Sequence, residues 1–173
     1  SLYYIVASLG DSRAVLSSFS LDQNEPKLVP VQLTKDHVAS DEDERQLVER
    51  RGGNVTHNGI DRVGGVLAIT RSIGGANLSS VLSRRPHVVV LSRSEILEAC
   101  GAIELNETYP CFMILASDGL WDTVSNQDAV DLVAQTVSEA HVNSSSWRDN
   151  ASLQQAAEAL VQEAYVRGST DNI

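Results

Sequence analysis

The sequence predicts an α+β fold, with short strands through the first two thirds of the chain and paired helices in the last. Three observations carry this. Short β-prone runs punctuated by glycines extend from Tyr3 to Leu91. An apolar run, CFMILA at 111–116, has the composition of a fully buried strand. After Ser125, small apolar residues recur at helical spacing in two separate stretches.

Taken in order, Tyr3–Ser8 and Arg13–Ser17 flank Leu-Gly-Asp-Ser, whose Gly and Asp suit a tight turn, so the opening predicts a hairpin. Leu21–Lys27 is a polar loop. Ser40 stands before four consecutive acids, and the run ends in Arg50-Arg51-Gly52-Gly53; an N-cap, acids first, bases last and a glycine stop predict a short helix. From Asn54 to Ile73, β-prone pieces alternate with Gly59, Gly64 and Gly65, which predicts a second hairpin and then a loop through Gly74-Gly75. Pro86–Leu91 reads as a strand. Ser92–Pro110 reads as a polar connection with a helical turn at Ser94–Ala99. Ser125 caps a helix over Asn126–Ser138, with Ala129, Val130, Val133, Ala134 and Val137 on one face. Asn143–Ser146 links it to a second helix, Leu153–Val166, patterned by Ala156, Ala157, Leu160, Val161 and Ala164. No internal repeat or change of composition marks a domain boundary.

Composition narrows the function classes. The chain has 173 residues, 42% hydrophobic and 21% charged, as expected of one globular domain, and no apolar run long enough to span a bilayer. A formal net charge of -10 argues against nucleic acid, whose binding needs clustered Lys and Arg. Cys100 and Cys111 form no disulfide framework and read as packing cysteines of a reduced intracellular chain. The opening residues lack the pattern of a signal peptide. Asn-x-Ser/Thr triplets at Asn54, Asn77, Asn106, Asn143 and Asn150 carry no weight without a secretory signal.

Chemistry-bearing residues gather after the apolar run. Asp118 and Asp122 lie where a strand gives way to a turn, and both face one cleft if that turn is helical. Hard carboxylate oxygens suit Mg2+ or Mn2+ rather than zinc. Asp118 capping a turn, with Asp122 solvated, is the competing reading of the same residues. Asp171 follows a helix in a polar tail, and Asp36-His37 follows a short strand. His37, His57, His87 and His141 show no metal-ligand spacing, and no phosphate loop or nucleophile elbow is present.

The motifs also occur in a recognisable order: Gly10-Asp-Ser-Arg-Ala14, Leu33-Thr-Lys-Asp-His37, Glu49-Arg-Arg-Gly-Gly53, Arg62-Val-Gly-Gly65, Leu67-Ala-Ile-Thr-Arg-Ser72, Leu115-Ala-Ser-Asp-Gly-Leu-Trp-Asp122 and Arg167-Gly-Ser-Thr-Asp-Asn172. Together they resemble the metal-dependent protein serine/threonine phosphatases of the PPM (2C) type. The resemblance implies a four-layer α-β-β-α sandwich with two Mg2+ or Mn2+ ions in a cleft between the sheets. Asp118 and Asp171 match aspartates that ligate this pair. Asp36 and Asp122 match positions that, with Asp118, hold a weaker third ion in some members. The implied reaction is hydrolysis of phosphoserine and phosphothreonine on protein substrates by a metal-activated water. A pseudophosphatase, a binding module keeping the fold without turnover, is the alternative.

The family's remaining metal ligands, its phosphate-binding arginine and its general-acid histidine are expected upstream of Gly10-Asp11, so no catalytic residue of that kind is assigned within 1–173. Gly75 stands where members usually carry Asp, which alters the loop's hydrogen bonding. These departures lead to the expectation that residues 1–173 are the C-terminal portion of a single phosphatase domain, incomplete at both ends, with a cytoplasmic or nuclear location.

Overall fold

The computed structural model describes residues 3–18, 28–75, 77–100, 111–141 and 150–173. The expected loops at Leu21–Lys27 and Asn143–Ser146, and most of the connection before Pro110, lie outside the described residues. The chain divides into two compact units: residues 1–4, 13–33 and 91–173 make the first, and residues 5–12 and 34–90 the second.

The first unit holds a three-stranded antiparallel sheet, ordered β3 (Val31–Gln32), β2 (Arg13–Ser18), β7 (Cys111–Ala116). Arg13 lies opposite Ala116, and the register runs to Ser18 opposite Cys111. The β7 strand forms where expected but is not fully buried: Ile114 points into the core while Leu115 is 72% exposed. Among the described residues β7 pairs only with β2 and is a sheet edge, so its alternate residues face outward.

One face of this sheet meets two long helices, α4 (Asn126–His141) and α5 (Asn150–Val166). Ser125 holds the start of α4 through a hydrogen bond from the Asp128 N–H to its hydroxyl oxygen, 3.1 Å. Val15 and Ile114 pack with Leu120, Trp121, Val130 and Val133 of the helical side. On α5 the buried stripe is Ser152, Ala156, Leu160 and Ala164, four residues apart and mostly small, which suits close helix packing. Val161, expected in the core, is 45% exposed. A period of four rather than three selects the Ala156–Leu160–Ala164 row.

In the second unit, β4 (Val55–Asn58) and β5 (Ile60–Val63) form the expected hairpin, turning at Gly59 with φ 76°. Helix α1 (Glu42–Arg50) is capped by Asp41 rather than Ser40, the Asp41 carboxylate accepting from the Glu44 N–H at 3.0 Å. Val48, Ala39, Val63 and Leu82 form this unit's apolar centre.

The expected first hairpin does not form. β1 (Tyr3–Ser8) pairs with β6 (His87–Ser92), and β2 belongs to the other sheet. The reason lies in the intervening turn. Gly10, at φ 106°, gives its carbonyl to the His37 N–H at 2.9 Å and bonds the His37 ring as well, so the turn closes on a distant segment. After β6, helix α2 (Arg93–Ala99) begins in a capping box between Ser92 and Glu95.

Candidate metal centre

Strand β7 delivers the chain to Ser117, and a single helical turn, α3 (Asp118–Trp121), follows at once. The Asp122 N–H donates to the Asp118 carbonyl at 2.8 Å, so the turn is helical and the two aspartates stand one turn apart on one side of it. Leu120 and Trp121 bury the opposite side. The Trp121 Nε1–H donates back to the Ala116 carbonyl at 3.1 Å, and the Arg13 guanidinium lies 5.2 Å from the indole centre. Arg13 also donates to Asn126 Oδ1 at 2.7 Å, so the turn is fixed to both the sheet and α4.

The tail carrying Asp171 is brought to this turn by a short series of bonds. Helix α5 ends in a Schellman arrangement: the Ser169 N–H reaches the Ala164 carbonyl at 2.9 Å, the Gly168 N–H the Tyr165 carbonyl at 3.0 Å, and Gly168 takes φ 94°. The Ser169 hydroxyl then donates to the Gly119 carbonyl at 2.6 Å, and the Ser117 hydroxyl donates to the Asn172 carbonyl at 2.8 Å. Gly119 is the contact point. A Cβ there would collide with the Asn172 carbonyl oxygen and lie 2.9 Å from its carbon, so only glycine lets the tail lie flat on the turn.

The four expected ligands are placed unequally. Asp118, Asp122 and Asp171 belong to the first unit, where the tail carrying Asp171 is bonded to the α3 turn through Ser117 and Ser169. Asp36, half-buried, belongs to the second unit, between β3 and α1. Asp118 is half-buried, and its carboxylate has no hydrogen-bond or ion-pair partner among the described residues. Leaving a carboxylate partly desolvated and unpaired is costly, which fits a group kept for a cation. Asp171 is exposed and, among the described residues, accepts its neighbour's N–H, Asn172, at 2.7 Å. Among the described residues no three His, Cys, Asp or Glu side chains cluster closely enough to share an ion. In chemistry, the carboxylate oxygens suit hard divalent cations.

Sequence reasoning missed the most completely bonded acid. Glu44 reads as one of four solvated first-turn acids, yet it is 2% exposed. It accepts from the Arg71 Nε–H at 2.8 Å, the Arg71 Nη2–H at 2.6 Å and the Thr70 hydroxyl at 2.7 Å. Burial pushes its pKa up, but the Arg71 and Thr70 bonds outweigh that and hold it below the usual carboxylate range. One signal was available: Glu44 lies four residues before the buried Val48 and so on the inward face of α1. His37 is fully buried, and Gly10 bonds its Nδ1 within 3.2 Å.

Comparison with known proteins identifies the family and the fold class. The family model described as protein phosphatase 2C matches residues 2–173. A rice (Oryza sativa subsp. japonica) protein named probable protein phosphatase 2C 32 is 38% identical over 170 residues, covering 98% of this chain and 36% of the relative. Bovine (Bos taurus) protein phosphatase 1L is 34% identical over 168 residues, covering 97% and 38%. The solved serine-threonine phosphatase 2C from Toxoplasma gondii superposes with a TM-score of 0.65 at 26% identity, covering 96% of this chain and 51% of that one. A C. elegans sex determining protein superposes at 0.70 with 27% identity, covering 98% and 35%. The chain thus spans little more than a third of the length of these curated relatives, and the mixed strands and helices have the α+β fold of this structural class.

Proposed function

The chain belongs to the protein phosphatase 2C family, and on that premise we propose that the full-length protein is a Mg2+- or Mn2+-dependent hydrolase of phosphoserine and phosphothreonine in protein substrates. The observation that supports this most directly is the Asp118 turn: a half-buried, unpaired carboxylate with the Asp171 tail fastened beside it by Ser117 and Ser169. When bound, a pair of divalent cations supplies Lewis acidity toward a phosphoryl oxygen and makes water acidic enough to ionise near neutral pH. This chain's own part is to hold. Asp118 and Asp171 offer the oxygen ligands, and α3, braced by Trp121 and Arg13, keeps the first of them in a fixed orientation. We assign Asp122 to a weaker third ion.

The test is Asp118→Asn in the full-length protein, with phosphopeptide hydrolysis measured across a Mn2+ titration. Turnover should fall by about 100-fold or more, because even residues that only support metal ligands cost up to that much. Circular dichroism should be unchanged. Near wild-type rates at low Mn2+ would remove Asp118 from the site. Tight Mn2+ binding by the wild-type protein with no hydrolysis of any phosphopeptide would favour the pseudophosphatase reading instead.

A further inference from the structure

Cys100 and Cys111 belong to no part of the proposed metal centre, yet the fold brings their sulfurs to 3.4 Å. Both are free thiols. Cys100 caps the end of α2, its N–H bonded to the Ile96 carbonyl at 3.0 Å, and is buried; Cys111 is the first residue of β7 and is half-exposed. The bonds that place them do not involve sulfur. Cys111 pairs with Ser18 in the sheet register, and the Ser18 hydroxyl donates to the Cys100 carbonyl at 3.0 Å. One residue of β2 therefore holds both cysteines at the same edge.

We propose that Cys100 and Cys111 are an oxidative modification site, a dithiol that a peroxide converts to an intrachain disulfide joining the end of α2 to the head of β7. A disulfide is about 2.05 Å long, so from 3.4 Å the sulfurs need to close by only about 1.4 Å. The two thiols differ in a way that sets the order of events. The hydrogen bond between the two sulfurs draws the Cys111 thiol below its ordinary value, while that bond and burial push Cys100 far up. Cys111, the more exposed and the more acidic, reacts first.

The Cys111 thiolate attacks one oxygen of hydrogen peroxide, the O–O bond breaks, and the departing hydroxide takes a proton to become water. Cys111 is then a sulfenic acid. The Cys100 sulfur attacks the Cys111 sulfur, the S–O bond breaks, and the Cys100 thiol proton leaves with the hydroxide as a second water. Each sulfur gives up one electron, and each peroxide oxygen gains one.

The experiment treats the reduced full-length protein with limiting hydrogen peroxide, alkylates the remaining thiols and maps the peptides by mass spectrometry. Expected is a cross-link between the Cys100 and Cys111 peptides, two hydrogens lighter than the dithiol and reversed by dithiothreitol. The apparent melting temperature should rise, on the order of 5 °C for a short closed loop. In Cys100→Ser, Cys111 should accumulate as a sulfenic acid that dimedone traps; in the wild type it should not persist. Separate alkylation of both cysteines after peroxide, or equal dimedone trapping in wild type and Cys100→Ser, would overturn the proposal.

Discussion

Glu44 and Asp118 are both carboxylates in the first turn of a helix, one in each unit, and their surroundings are opposite. Glu44 is buried with both oxygens occupied, by Arg71 and by Thr70. Asp118 is half-buried, and its carboxylate bonds to nothing among the described residues. The first carries its own counter-charge on the same unit, so its ionisation is spent on holding α1 to the segment 70–71. The second has its turn fixed by backbone bonds, by Trp121 and by the tail, so its carboxylate is left over. A buried acid that accepts three bonds from its own protein has little left to offer a ligand, and an acid whose neighbours do the structural work keeps its oxygens available.

The largest expected effect breaks the first of these. Glu44→Gln leaves the Arg71 guanidinium, only 16% exposed, without its counter-charge. Removing one member of a buried pair costs about 3 kcal/mol or more, because the other charge stays desolvated. Urea unfolding of the full-length protein should show that loss, whereas Asp118→Asn should change stability by no more than about 0.5 kcal/mol. Equal losses from the two variants would mean that Asp118 is a structural acid after all.

A smaller effect sharpens the other side. Gly119→Ala puts a methyl group against the Asn172 carbonyl, which is backbone and cannot rotate away. Alanine is about 1 kcal/mol better than glycine within a helix, so α3 itself is not weakened. The tail must lift instead, taking Asp171 with it. Mn2+ affinity by calorimetry should fall about tenfold, as for loss of a positioning contact, while the melting temperature holds. An unchanged affinity would show that Asp171 needs no seat on Gly119 to do its work.

The same contrast explains what could be read before the structure. The strand into Asp118, the helical turn to Asp122 and the two long helices follow from local pattern, because apolar spacing and caps are written in neighbouring residues. Asp171 was marked only by resemblance; its place depends on Ser117, Gly119 and Ser169, which are ordinary loop residues until the tail meets the turn. The misread first hairpin has a similar cause. Leu9–Ser12 has turn chemistry, but Gly10 is claimed by His37, 27 residues away, and the two strands separate. Glu44 was hidden by its neighbours Glu42 and Asp43, which are exposed and fit the solvated reading.

The smallest effect is one of pH, and it belongs to the second unit alone. His37 is fully buried and faces the charges of Arg71 and Glu44, the ring of His87 and the backbone of Gly10. Burial, and then Arg71, lower its pKa; Glu44 and the Gly10 bond pull the other way without reversing the shift. The unfolded chain therefore takes up the proton first, near the ordinary histidine value of about 6.5. Stability is complete above that value and declines as the pH falls through it toward the lower folded-state value, with a slope of at most about 1.4 kcal/mol per pH unit. Glu44, also lowered, keeps its contribution above the ordinary carboxylate range and loses it only as the pH falls through its own depressed value. Unfolding free energies measured between pH 8 and 5 should decline for the wild type and stay flatter for His37→Gln. A parallel decline in both proteins would assign the pH dependence to another group.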